Sequence, residues 1–159
     1  MTLVPFAADC APLVVGWCGA SPYSAEWVPV GRTAPEVVAG WLDDPDISGH
    51  LLLGEDSVPV AYGEVWLEPD GDEAELAHLV VDPALCGRGL GAHVGRALAA
   101  TVPPERAVFL RVHPDNVVAQ ACYRSIGFAR VAAEDEAAWN AGQPTAYWWM
   151  RLDDAQRSR

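Results

Sequence analysis

The chain contains no lysine. All ten of its Lys/Arg positions are arginine, set against 22 Asp and Glu, and the formal net charge is -12. Without lysine there is no Schiff base to a pyridoxal cofactor and no Walker-type phosphate loop. So few cations also argue against binding nucleic acid, because phosphate contacts need clustered Lys and Arg. Apolar runs are short: none approaches the roughly 20 residues of a membrane-spanning helix. The opening Met-Thr-Leu-Val-Pro-Phe lacks the basic region of a signal peptide. The expectation is a cytoplasmic protein with no membrane partner. Cysteine is scarce, at positions 10, 18, 86 and 122, with no C-x-x-C and no metal-ligand spacing. Free, mostly buried thiols and no metal are expected.

What is present supports one globular domain. The chain has 159 residues, of which 51% are hydrophobic, enough for a real core. The expected division is a domain over 1–152 and a polar, frayed tail over 153–159. The acidity reads first as solubility; its field would also attract a cationic amine.

The most informative stretch runs from Glu75 to Arg96. Leu76 to Val81 is an apolar, partly β-branched strand. Asp82-Pro83 stops it, since proline has no N–H for a ladder. Gly87-Arg88-Gly89-Leu90-Gly91 follows, and then a helical pattern over Ala92 to Ala100. A helix start carries N–H groups without partners and a dipole that favours negative charge. Glycines let the backbone approach a ligand closely. The unit predicts a cradle for a phosphate or pyrophosphate, with Arg88 as a charged donor. The spacing does not fit G-x-G-x-x-G, because Val94 stands three residues after Gly91. It fits x-x-G-x-G/A.

That spacing resembles the acetyl-CoA loop of the GCN5-related N-acetyltransferase (GNAT) family. Glu75 lies fourteen residues before Gly89, where the family often has a catalytic glutamate. Asn116, Tyr123, Gly127 and Phe128 stand at the spacings of the family's second half. Cys86 departs from the pattern, at a position usually held by Gln or Arg. The resemblance is specific from about Val60 to Val131. It implies a single mixed α/β (α+β) domain. A central sheet of about seven strands, the fourth and fifth splayed apart, would be flanked by about four helices. It implies acetyl-CoA as co-substrate and a small-molecule or peptide amine as acceptor. Homodimers are frequent in the family.

The resemblance also distributes roles. Leu79, Val80 and Val81 would line the pantetheine arm and supply an oxyanion N–H. Gly87, Arg88, Gly89, Leu90, Gly91 and Ala92 would hold the diphosphate. Asn116 would bond the pantetheine arm, or merely cap its helix. Glu75 is the expected base, direct or through water, and Tyr123 the acid that protonates the thiolate. Glu64 and His78 are rivals for the base. Strict alternation puts His78 on the face opposite Glu75, unless a bulge intervenes. Trp17, Tyr23, Trp27 and Trp41 are candidates for the acceptor pocket or for ordinary core. Cysteine catalysis by Cys86 or Cys122 lacks an evident histidine partner. A non-catalytic CoA-binding or regulatory domain is the alternative function, and a nucleotide-binding oxidoreductase is disfavoured by the glycine spacing.

The remaining elements are expected in the order β-α-α-β-β-β-α-β-α-β-β. Asp9 is the expected cap of a first helix with Leu13, Val14 and Trp17 inward. Thr33 to Glu36 reads as a capping box. Strands are expected at Leu3–Phe6, His50–Gly54, Val58–Leu67, Ala107–Val112, Phe128–Val131 and Thr145–Leu152. Glu134 to Gln143 reads as a polar loop.

Overall fold

The computed structural model describes residues 1–28 and 34–157. Thr33, the expected capping-box residue, lies outside them. Among the described residues, seven strands form one sheet in the order β1-β2-β3-β4-β5-β7-β6. They are β1 (Thr2–Pro5), β2 (Ile47–Leu53), β3 (Pro59–Leu67), β4 (Glu73–Val81), β5 (Ala107–Val112), β6 (Phe128–Arg130) and β7 (Trp148–Leu152). Every neighbouring pair is antiparallel except β4 and β5.

The helices are α1 (Ala11–Cys18), α2 (Ala34–Gly40), α3 (Leu90–Ala99), α4 (Val117–Ser125), α5 (Ala133–Trp139) and α6 (Asp154–Arg157). Alternation along the strands divides the core in two. On one face, Ala11, Val14, Trp17 and Cys18 of α1 and Val38 of α2 pack on Leu51, Tyr62 and Val80. On the other, Leu90, Val94 and Leu98 of α3 pack on Ala61, Val65, Leu76 and Leu110. The i, i+4, i+8 spacing in α3 is what makes that helix one-sided.

Some elements differ from expectation. A one-turn 3-10 helix, Ala8–Cys10, precedes α1, and Cys10, not Asp9, occupies the N-cap without a side-chain bond. Leu13 faces solvent, and Ala11 takes the inward position instead. α3 begins at Leu90 because Gly89 turns the backbone at φ 77.

The segment expected as a polar loop contains α5. Glu134, Asp135 and Glu136 crowd its first turn, where the dipole favours them. Trp139 packs edge-on against Phe109 and Trp149, at 5.4 and 5.3 Å between ring centroids. Within the expected tail, Asp154–Arg157 is helical. α6 carries Arg157, whose guanidinium donates to the carbonyls of Val102, Pro103, Pro104 and Arg106. Those carbonyls lie in the proline-broken turn after α3, and one guanidinium fork satisfies several of them.

The Arg130–Glu136 pair that fastens α5 makes two bonds, Nε to Oε2 at 2.9 Å and Nη2 to Oε1 at 2.5 Å. Glu136 also accepts from the Trp149 N–H. The bond to Arg130 holds the Glu136 carboxyl below its ordinary pKa. Its contribution is therefore complete above the unfolded carboxylate range and is lost as pH falls through the lowered folded value. Glu136→Gln is expected to cost about 1 kcal/mol near neutral pH, discounted for the half-exposed guanidinium. Urea unfolding checks this, and the difference from wild type should shrink in acid.

Candidate active site

β4 leads into the glycine loop through a short turn. The Asp82 carboxylate accepts from the Ala84 N–H at 2.9 Å, and Pro83–Leu85 makes one 3-10 turn. Gly87 and Gly89 then adopt φ of 79 and 77. A Cβ added at either would meet nothing within 4 Å, so glycine serves the backbone angle here and not the space. Among the described residues, none of the N–H groups from Gly87 to Ala92 finds a protein acceptor. Six successive donors thus stand open at the start of α3. Arg88 and Cys86 are both exposed beside them. At Gly91 an added Cβ would lie 3.1 Å from the Cys122 Sγ, so glycine there admits α4.

The strands next to this loop part company. β4 pairs with β5 only at Glu73, Ala74 and Glu75, opposite Ala107, Val108 and Phe109. From Leu76 onward the β5-facing edge of β4 has no strand beside it among the described residues, leaving a slot that ends at the glycine loop. Leu79, Val80 and Val81 lie along it. The Leu79 side chain joins the α3-side core and Val80 the α1-side core.

β4 also changes phase. Glu64 of β3 pairs with Ala77, but Tyr62 pairs with Val80, so β4 carries an extra residue between them. This bulge falls at His78, whose φ is 49. A non-glycine residue at such an angle stores on the order of 1–3 kcal/mol of strain. The bulge overturns the alternation rule: His78 comes to the same face as Glu64 and Glu75, beneath α1 and α2.

Glu64 is fully buried. The Tyr62 hydroxyl donates to its Oε1 at 2.6 Å, and Trp66 Nε1 donates to its Oε2 at 2.6 Å. His78 Nδ1 is 3.0 Å from the same Oε2. Burial, with the Glu64 charge behind it, pushes the Tyr62 hydroxyl pKa upward, and pushes the Cys18 thiol up to about 12.

Glu75 stands opposite Trp66 and Phe109 on that face. Arg111 Nε lies 2.9 Å from its Oε1, but the geometry is not that of a hydrogen bond, and Oε1 has no hydrogen-bond partner. Burial raises the Glu75 pKa, while Arg111 and His78 pull it back. Arg111 in turn lies over Trp149, Tyr147 and Trp66, at 5.4, 5.6 and 5.9 Å from their ring centroids. Glu75, Trp66, Arg111, Trp139 and Trp149 line a cavity of about 510 Å³.

The four aromatics expected near the acceptor divide. Trp17 is ordinary core. Tyr23 donates to the Asp115 carbonyl at 3.0 Å and rests on His113. Trp27 and Trp41 both lie against His78, at 5.0 and 4.2 Å between centroids. Trp66, Arg111, Tyr147 and Trp149 were not anticipated. The i+2 spacing of Tyr62, Glu64 and Trp66 was the available signal.

Tyr123 sits on α4, on the other side of the sheet, packed on the α3-side core and edge-on to Phe128. Burial raises its pKa. Its hydroxyl makes no hydrogen bond among the described residues. Asn116 is the helix cap: its Oδ1 accepts from the Ala119 N–H at 3.1 Å. Among the described residues no cluster of His, Cys, Asp or Glu is placed to hold a metal. None of their helices is long and apolar enough to cross a membrane.

Residues 14–128 match the sequence model of the acetyltransferase (GNAT) family. Over 107 residues the chain is 36% identical to mycothiol acetyltransferase of Clavibacter sepedonicus, covering 65% of this chain and 34% of that protein. Over 59 residues it is 44% identical to the N-alpha-acetyltransferase RimI of Mycobacterium tuberculosis, 37% of each chain. The matched stretches thus span about a third of these curated relatives. In fold the chain resembles AAC(6')-Ib in complex with parmomycin and acetyl-CoA. The TM-score is 0.73 at 19% identity, covering 99% of this chain and 96% of that one.

Proposed function

The chain belongs to the GNAT family of acetyltransferases, and from that premise we propose that it transfers an acetyl group from acetyl-CoA to a primary amine. The observation that carries the reading is the run of open N–H groups from Gly87 to Ala92, set where the β4–β5 slot ends. A diphosphate would satisfy donors that have no partner among the described residues, at the positive end of a helix dipole. The pantetheine arm would then lie in the slot, against the free edge of β4 at Leu79 to Val81. This brings the thioester between the two faces of the sheet.

Attack is direct, in a ternary complex. The amine arrives from the α1–α2 face, and Glu75 supplies a carboxylate there whose Oε1 faces Arg111 at 2.9 Å. It is suited to take a proton from the incoming ammonium. Tyr123, on the α4 side, is suited to return one to the departing thiolate. Asn116 is already spent on the Ala119 N–H, which leaves its NH2 group for the pantetheine arm.

The acceptor we propose is a cationic amine, on a small molecule or a peptide. Among the described residues, Asp44, Asp46, Glu68, Glu73 and Glu75 line the cavity with a single cation, Arg111. The fold relative was captured with an aminoglycoside ligand.

Thiol release from acetyl-CoA, measured with a panel of polyamines, amino sugars and peptide N-termini, tests this. Turnover is expected with at least one cationic amine and with no neutral alcohol of similar size. The reading fails if no amine is turned over and calorimetry detects no coenzyme binding.

A further inference from the structure

Glu64 is the only fully buried carboxylate among the described residues. A buried charge is costly unless hydrogen bonds surround it, and here three side chains converge on it: Tyr62, Trp66 and His78. A carboxylate can only accept, so His78 Nδ1 must carry the hydrogen that faces it. Nε2 then keeps its lone pair, and it has no hydrogen-bond partner among the described residues.

Three indoles pack around the ring in this pose. Trp41 and Trp27 lie against it and Trp66 meets it edge-on. The bulge, at positive φ, turns the side chain to this face instead of the opposite one. The imidazole is still not sealed, its side chain being 19% exposed. An orienting carboxylate, a fixed tautomer and a basic nitrogen without a partner among the described residues are the parts of a general base.

We infer that His78 is a catalytic base in the acetyl transfer, and that Glu64 is its positioning carboxylate. The inference rests on the acetyltransferase reading and makes it finer. A primary ammonium loses two protons on becoming an amide. Glu75 takes the first, leaving a neutral amine. As the amine nitrogen bonds to the thioester carbon, His78 Nε2 takes the second. The C–S bond breaks, the thiolate takes a proton from Tyr123, and His78, Glu75 and Tyr123 re-equilibrate with water. One proton is released overall. The charged and titrating groups around His78 are Glu64 and Tyr62 from β3, with Cys18 of α1 behind them, Glu75 from β4, and Arg111 from β5.

The test uses the full chain, an amine that wild type accepts, and kcat/KM across pH. His78→Gln should lower kcat on the order of 100-fold and leave acetyl-CoA affinity within about twofold. Glu64→Gln can keep the fold: the amide oxygen faces Trp66 and His78, and the amide NH2 donates to the Tyr62 oxygen. Only the charge is lost, so kcat should fall about tenfold and the ascending pH limb should move to lower pH. In His78→Ala, added imidazoles should restore turnover in proportion to their basicity.

A His78→Gln rate within threefold of wild type overturns the assignment. So does rescue that ignores basicity, or an unmoved pH limb in Glu64→Gln. These outcomes are read against an active wild type. A wild type that neither binds the coenzyme nor releases thiol removes the underlying acetyltransferase reading instead, and the base with it.

Discussion

Gly89→Asp is expected to weaken acetyl-CoA binding on the order of 100-fold, or about 3 kcal/mol, while Gly89→Asn weakens it less than about fivefold. The two side chains have the same shape and differ in charge. Asn and Asp tolerate positive φ better than other side chains, and nothing lies within 4 Å of the new Cβ. Strain is therefore shared between the variants and cancels in the comparison. The carboxylate would face the coenzyme's diphosphate across the mouth of α3. At roughly 8 Å and an effective dielectric of 20, each pair of like charges costs about 2 kcal/mol. It would also occupy the open N–H groups itself. Calorimetry gives the affinities, and a thermal melt confirms that both variants fold. Equal weakening by Asn and Asp would assign the effect to the backbone, and no weakening by either would remove the diphosphate from this loop.

Tyr123→Phe is expected to lower kcat on the order of 100- to 1,000-fold with acetyl-CoA affinity unchanged. The ring's edge contact with Phe128 and its packing on the α3-side core survive the change, since only the hydroxyl is removed. Burial raises the pKa of that hydroxyl, so the phenol keeps its proton across the working range and remains able to donate. Steady-state kinetics with saturating coenzyme, read beside calorimetry, separates chemistry from binding. An unchanged kcat would make Tyr123 a packing residue and leave the thiolate to be protonated by water.

Local chemistry explains which parts of the molecule could be read in advance. β5 falls at Ala107–Val112, as expected, because Pro103-Pro104 and His113-Pro114 bracket an apolar run. Asn116 caps α4, and Gly127 leaves it at φ 99, both signals confined to a few residues. The strand–loop–helix unit around Gly89 is legible for the same reason. α5 was missed because its composition is polar; what fixes it is contact with β5, β6 and β7 through Trp139 and Glu136. α6 has no local signal because its anchor, Arg157, finds carbonyls some fifty residues earlier in the chain.

The site divides along the same line. Glu75, Glu64, His78 and Tyr123 were all candidates by position. Their grouping was not accessible, because one extra residue in β4 decides which face His78 takes. The Glu75–Arg111 pair joins β4 to β5 across the sheet, where neither strand alone signals the other. Trp27 and Trp41 read as generic aromatics until the bulge delivers the imidazole between them.

The most direct test follows the loop amides themselves, by NMR or residue-resolved hydrogen exchange, as acetyl-CoA is added. The amides of Gly87 to Ala92 should shift downfield together and become protected, saturating at the same coenzyme concentration as thiol release. If those amides stay unperturbed and unprotected while the coenzyme binds elsewhere, the diphosphate is not held by this loop and the placement of the thioester beside His78 and Tyr123 is wrong.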